Sequence, residues 1–155
     1  LVFDPAASLG ESLAQVIRSR RPHLTVRIAW EIADDLLARF QLPPRLLNAV
    51  SRQMSGGERR RAAIARTLAA LGFPRHPSDD RRQAASDERL LILDEPTVGI
   101  DVFVQCALAE TLLQAQSEMN LTLLVISHDE PFGTRFCYNV GTWRRPARLA
   151  SQPAP

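Results

Sequence analysis

The sequence predicts an α/β protein in which a small parallel sheet accompanies a helical lobe. Apolar residues recur every three or four positions over 9–20 and 25–40, as they do on one face of an amphipathic helix. The continuous apolar run Leu90–Leu93 and the largely apolar run Leu121–Ile126 are typical of strands that are buried on both faces of a sheet. A helix predicted over 102–118 separates these runs, and the order strand, helix, strand favours a parallel pair.

Breaker residues divide the chain into four predicted parts. Gly72, Pro74 and Pro77 end the helical region and open a polar stretch, which predicts a surface loop. The four parts are a helical lobe over 1–71, a surface loop over 72–88, a sheet-containing part over 89–143 and a frayed tail over 144–155. Within the lobe we predict a helical turn at 45–49 and a helix from Ser55 to Leu71. Within the sheet-containing part we predict a short helix at 131–137 and a weak strand at 139–143.

Composition indicates a soluble globular domain and excludes several classes of site. Hydrophobic residues make up 45% and charged residues 23% of 155 residues, and a net charge of +2 is too small to indicate nucleic-acid binding. The three histidines lack the spacing of metal ligands. All 19 basic residues are arginine, so these residues hold no phosphate-binding loop of the form G-x-x-x-x-G-K-[ST]. Because the first residue is Leu1, we expect a piece of a longer protein.

Two adjacent carboxylates follow the first predicted strand. Asp94 and Glu95 directly follow the run Leu90–Leu93, and Pro96 and Thr97 come next, so the whole string is Leu90–Thr97. Charged groups at the end of a buried strand are costly unless they have a task. Mg²⁺ prefers oxygen ligands, which suits Asp94, and Glu95 could deprotonate an attacking water. A strand that merely ends in a polar turn is the simpler explanation, and the length of the string disfavours it.

A second candidate site lies at the start of the helix that follows Met54. The sequence Ser55-Gly56-Gly57-Glu58 places two glycines where a ligand could approach the backbone closely. The free N–H groups and the positive end of a helix favour an anion such as a phosphate. Ser55 with Glu58 three residues later is equally a capping box. A cap alone does not require two glycines, which cost helix stability.

A third candidate is His128, which directly follows the second predicted strand. A histidine at that position could hydrogen-bond a phosphate and respond to its loss. A lone histidine is more often structural, so this residue carries little weight by itself.

Taken together and in this order, the three segments resemble the nucleotide-binding domain of ABC ATPases. Met54–Glu58 is similar to the family's signature motif, Leu90–Glu95 to its Walker B strand, Val98–Asp101 to its D-loop and His128 to its switch histidine. Residues 2–9 resemble the Q-loop of oligopeptide, dipeptide and nickel importer ATPases, but the glutamine expected before Asp4 is missing.

The resemblance implies a partial P-loop NTPase fold, with a sheet remnant and a helical signature subdomain. It implies ATP and Mg²⁺ as cofactors, Asp94 on the metal, and Glu95 and His128 as catalytic residues. The residues implied to contact nucleotide are Ser55, Gly56, Gly57, Glu58 and Asp101. It also implies a second ATPase subunit and transmembrane permease subunits as partners, no nucleic acid, and a location on the inner face of the cell membrane.

Two alternatives stay open at the level of sequence. The missing lysine also fits a decayed, non-catalytic paralogue that only pairs with another subunit. A chromosome-maintenance or DNA-repair ATPase of the same superfamily would carry a long coiled coil before the signature segment. Only about 45 residues separate residues 2–9 from Ser55, too few for sustained heptads. We expect this chain alone to be inactive as an ATPase. We also expect Glu95 and His128, which follow neighbouring parallel strands, to share one rim of the sheet, and Ser55 to lie far from both.

Overall fold

The computed structural model describes residues 4–79, 89–137 and 139–141. Its helices are α1 (Leu9–Arg20), α2 (Val26–Arg39), α3 (Gly56–Leu71), α4 (Val102–Met119) and α5 (Glu130–Phe136), and its strands are β1 (Arg89–Asp94) and β2 (Leu121–Ile126). Two 3₁₀ turns, Pro44–Asn48 and Ser51–Gln53, lie between α2 and α3. Within these ranges, every helix is too short or too polar to cross a membrane.

Local sequence signals set the helix boundaries. The Ser8 hydroxyl accepts a hydrogen bond from the Glu11 amide and the Glu11 carboxylate accepts one from the Ser8 amide, so α1 begins with a complete capping box. Thr25 caps α2 in the simpler way, through its hydroxyl alone. At the other end, α3 stops at Gly72 and α4 stops at Asn120, both of which adopt the left-handed conformation that ends many helices.

The helical lobe is formed by α1, α2 and α3, with α1 packed against the other two. Its interior is apolar, as the helical periodicity predicts. The largest fully buried side chains of the lobe are Leu9, Leu13, Ile17, Leu36, Leu37, Phe40, Leu46 and Leu68. The core continues without a break into Leu91, Leu93, Leu108 and Leu112 of the sheet-containing part. The two parts therefore share one hydrophobic core.

The sheet consists of β1 and β2 in parallel, as predicted, with Arg89 opposite Leu121 and Asp94 opposite Ile126. The prediction that both faces are buried is wrong. Ile92 is 54% exposed and Leu124, its partner across the strands, is 48% exposed. Leu90 and Ile126 are exposed on the same face. Successive side chains of a strand point to opposite faces of the sheet, so these residues share one face. No described element covers that face.

The first part of the predicted surface loop is anchored to the lobe. Phe73 is fully buried, and Arg21 donates two hydrogen bonds to Asp79 at 2.8 and 2.7 Å. Arg21 also donates to the carbonyl oxygens of Gly72 and Pro74, which holds the segment against the end of α1. Residues 80–88 of this loop lie outside the described residues.

The weak strand predicted at 139–143 is wrong for residues 139–141, which form no strand. Asn139 and Gly141 are poor strand formers, and no described strand lies beside them. Residues 142–143 and the predicted frayed tail from Arg144 lie outside the described residues.

Candidate active site

Glu95 and His128 lie together at the carboxyl edge of the sheet. The Glu95 amide donates to the Ile126 carbonyl at 2.8 Å, which extends the strand pairing by one residue beyond Asp94. His128 Nδ1 then lies 2.9 Å from Glu95 Oε1. The prediction that these residues share one rim is confirmed, because parallel strands bring their carboxyl ends to the same edge.

Glu95 is held in an unusual conformation. Its φ of +48° lies in the left-handed region, where a residue with a Cβ is strained. One carboxylate oxygen, Oε1, contacts His128, while the other, Oε2, is buried without a hydrogen-bond partner among the described residues. A buried carboxylate oxygen without a donor is costly. His128 therefore holds one oxygen of this carboxylate in place, and the other oxygen is left unpaired among the described residues.

The ring of His128 is 79% exposed, whereas the side chain of Glu95 is 32% exposed. The hydrogen bond to Glu95 and the negative charge of that carboxylate raise the pKa of His128 above its ordinary value. The exposed side of the ring is open to a ligand.

Asp94 is exposed at the end of β1, beside Glu95. Its carboxylate is the type of ligand that Mg²⁺ prefers. In the described ranges, at Asp94 as elsewhere, no three carboxylates, histidines or cysteines converge on a possible metal position. Asp94 could therefore supply one ligand, and a bound ion would take its other ligands from water and phosphate oxygens, as Mg²⁺ commonly does.

The predicted signature segment begins α3 as a capping box. The Ser55 hydroxyl accepts from the Glu58 amide at 3.2 Å, and the Glu58 carboxylate accepts from the Ser55 amide at 2.8 Å. The Ser55 amide hydrogen bond is the main cause that lowers the pKa of Glu58, so this carboxylate stays ionised. These bonds join Ser55 to Glu58, and no hydrogen bond joins Ser55 to Glu95 or His128 in the described part of the chain.

The two glycines of this segment differ in their surroundings. A Cβ at Gly57 would lie 3.1 Å from the Gly99 oxygen and 3.2 Å from Ile100 Cγ2, so packing within the chain accounts for Gly57. A Cβ at Gly56 would have no neighbour within 4 Å, and Gly56 is exposed. Packing within the described residues does not explain Gly56, whereas close approach by a ligand would.

Asp101 begins α4 by capping it. Its carboxylate accepts from the amides of Phe103 at 3.0 Å and Val104 at 3.1 Å. Asp101 is exposed beside the segment that contacts Gly57. The predicted site residues thus fall into two groups, Asp94, Glu95 and His128 at the edge of the sheet and Ser55–Glu58 at the start of α3. Asp101 lies in the segment 98–101 between the two groups.

Sequence reasoning missed the contacts that three arginines of α3 make. The sequence predicts that Arg59, Arg60, Arg61 and Arg66 form a solvated helix face, but that interpretation is wrong for the last three. Arg60 donates to the Val98 carbonyl at 3.0 Å, and Arg66 donates to the Ser12 hydroxyl at 2.9 Å. Arg61 is only 9% exposed; burial lowers its pKa, and Glu58 and Asp101 oppose that shift. The run of basic residues concealed the signal, because adjacent helical positions face different directions.

Comparison with solved structures identifies the fold. The chain is similar to the dimeric ATP-binding cassette MJ0796, with a TM-score of 0.63, 23% identity, and coverage of 86% of this chain and 50% of that chain. It is also similar to a post-hydrolysis state of the same cassette bound to ADP and Pi, with a TM-score of 0.62, 21% identity, and coverage of 83% of this chain and 49% of that chain.

The fold is that of part of an ATP-binding cassette. No family model matches the chain.

Curated relatives of this partial cassette are ATP-binding proteins of peptide transport. It is 29% identical over 127 residues to the oligopeptide transport ATP-binding protein OppF of Haemophilus influenzae, covering 82% of this chain and 33% of the relative. It is 33% identical over 135 residues to the oligopeptide transport ATP-binding protein AppF of Bacillus subtilis, covering 83% of this chain and 36% of the relative. The cassette part described here thus spans about one third of the length of these relatives.

Proposed function

We propose that this chain is part of the ATP-binding and ATP-hydrolysing subunit of an ABC importer, for peptides or nickel. The observation that carries the proposal is the 2.9 Å contact between Glu95 and His128 beside Asp94, at the carboxyl edge of two parallel strands. Ligands of open α/β sheets bind at this edge. The similarity to OppF and AppF supports the importer class.

The residues take separate roles in this proposal. Mg²⁺ and ATP, when bound, supply the electrophilic phosphorus and neutralise its charge. Glu95 accepts a proton from the attacking water, and His128 holds Oε1 so that the carboxylate keeps its orientation. Asp94 is a ligand of the metal. In a head-to-tail pair, Ser55–Glu58 and Asp101 face the nucleotide of the second subunit.

A pairing experiment tests whether the start of α3 faces the nucleotide of a second subunit. The chain is mixed with an intact importer cassette, such as AppF, and association is measured by analytical ultracentrifugation with and without ATP and Mg²⁺. We expect ATP-dependent association that Ser55→Arg abolishes, since the larger cation fills the open space at the start of α3. Ala70→Arg, at an exposed position near the other end of the same helix, is the matched control. Absence of association, or association unaffected by Ser55→Arg, would contradict the proposal.

We further propose that these 155 residues alone do not hydrolyse ATP, because they contain no lysine and hence no phosphate-binding loop of the Walker type. Phosphate release from the purified chain is measured against Glu95→Gln, which reports contaminating activity. Turnover clearly above that of Glu95→Gln would show that the chain is catalytic without such a loop.

A second candidate function is a decayed paralogue that pairs with an ATPase subunit without catalysing hydrolysis. The absence of lysine favours it. A fusion of this chain to the amino-terminal part of AppF, which would complete a cassette, decides between the importer ATPase and the decayed paralogue. The fusion is mixed with intact AppF, and both association and ATP hydrolysis are measured. Hydrolysis that depends on Glu95 supports the importer ATPase, and pairing without such hydrolysis supports the decayed paralogue. In either case, we propose that the chain's partners include transmembrane permease subunits. Its proposed location is the inner face of the cell membrane.

A further inference from the structure

The start of α3 and the segment after Glu95 touch directly. A Cβ at Gly57 would lie 3.1 Å from the carbonyl oxygen of Gly99, so the backbone of the helix packs against the backbone of this segment. Gly99 itself has a φ of +77°, which turns the chain at the point of contact. The contact joins the helical lobe to the chain that leaves the sheet.

Arg60 adds a directed bond to this contact. Its Nη1 donates to the carbonyl oxygen of Val98 at 3.0 Å, across 38 positions of sequence. Val98 lies three residues after Glu95, and its amide donates to the Glu95 carbonyl. The arginine is half-buried, whereas its neighbour Arg59 is exposed. The bond therefore fixes the far end of a turn whose near end is Glu95.

The other end of the segment is also fixed. Asp101 caps α4 through the amides of Phe103 and Val104. Residues 98–101 are thus held between the cap of α4 and the first turn of α3.

We propose that Arg60 is a positioning residue that ties the segment 98–101 to the start of α3, and so holds Glu95 and Ser55 in a fixed relation within one chain. Its consequence rests on the proposed function: Glu95 serves the chain's own nucleotide and Ser55 serves the partner's, so Arg60 links two ATP sites. Movement of the Val98 carbonyl, near the chain's own ATP site, is then transmitted to the start of α3, which serves the ATP site of the partner.

Hydrogen exchange, followed by mass spectrometry on the full chain without nucleotide, tests the link. Peptides that report the amides of Phe103 and Val104 and of the first turn of α3 are compared in wild type, Arg60→Met and Arg59→Met. Methionine keeps the apolar stem but removes the donor. Loss of a charged hydrogen bond predicts exchange about tenfold faster at the cap of α4 in Arg60→Met and no change in Arg59→Met. Arg60→Lys should restore slow exchange, because it restores a cationic donor.

Equal exchange in Arg60→Met and Arg59→Met would overturn the proposal, and so would failure of Arg60→Lys to slow the exchange. If Arg60→Met does not fold, Gly57→Ala replaces it, since a Cβ 3.1 Å from the Gly99 oxygen must displace the segment. Faster exchange confined to residues 98–104 would then support the link, and unchanged exchange there would refute it. Nucleotide plays no part in the measurement, so its outcome is independent of the ATP-dependent pairing that tests the proposed function.

Discussion

Gly10 in α1 allows the lobe to close, and replacing it should destabilise the whole chain. A Cβ at Gly10 would lie 2.4 Å from Trp30 Cζ3, 2.7 Å from Trp30 Cη2 and 2.8 Å from the Leu47 carbonyl oxygen. All three separations are far below van der Waals contact. The indole packs against the core and the carbonyl belongs to the backbone of a 3₁₀ turn, so α1 or these neighbours must shift.

Two opposing terms set the magnitude of Gly10→Ala. Alanine is preferred to glycine in a helix by up to about 1 kcal/mol. Overpacking of a well-packed interior costs about 1–3 kcal/mol, and a clash with backbone as well as side chain lies toward the upper end. We therefore expect a net loss of about 1–2 kcal/mol in the free energy of unfolding, or roughly 3–6 °C in Tm for a chain of this length.

Urea denaturation followed by circular dichroism measures the change. Gly133→Ala in α5 is the matched control, because a Cβ at Gly133 has no neighbour within 4 Å and should be neutral or slightly stabilising. Trp30→Leu removes two of the three clashes, so Gly10→Ala should cost less in that background. If Gly10→Ala is as stable as wild type, the close packing of α1 on Trp30 and Leu47 is refuted.

Three further predictions follow from the anchored loop and the exposed sheet face. Arg21→Met should lower the free energy of unfolding by about 2–3 kcal/mol, because it removes the Arg21 donors from Asp79 and from two carbonyl oxygens, while the His76 amide remains as a donor to Asp79. Urea denaturation of this variant measures the loss, and a change below about 0.5 kcal/mol would contradict the prediction. Burial raises the pKa of Asp79, but bonds from Arg21 and the His76 amide outweigh it and lower that pKa. The stability that wild type gains over Asp79→Asn should thus be present above about pH 4 and fall as pH decreases further; a pH-independent difference would refute the pairing. Ile92→Thr with Leu124→Thr should raise the concentration at which the chain remains monomeric in light scattering, and no gain would show that the exposed face does not drive association.

Much of the fold was predictable because the signals are local. Ser8 with Glu11, and Ser55 with Glu58, each specify a helix start within four residues. The two apolar runs and the helix between them determined the parallel pairing, and the pairing brought Glu95 and His128 together. Comparison with solved cassettes confirmed the predicted fold.

The surroundings of the candidate site depended on tertiary structure. Arg60 and Val98 lie 38 positions apart, and Arg21 and Asp79 lie 58 apart, so nothing in the neighbouring sequence marks either bond. The left-handed conformation of Glu95 likewise arises from the turn that the whole segment makes. Local patterns specify which elements form, because capping and periodicity act over a few residues. Which side chains then become buried or bonded depends on how the elements pack, and that is decided by contacts between residues distant in the sequence.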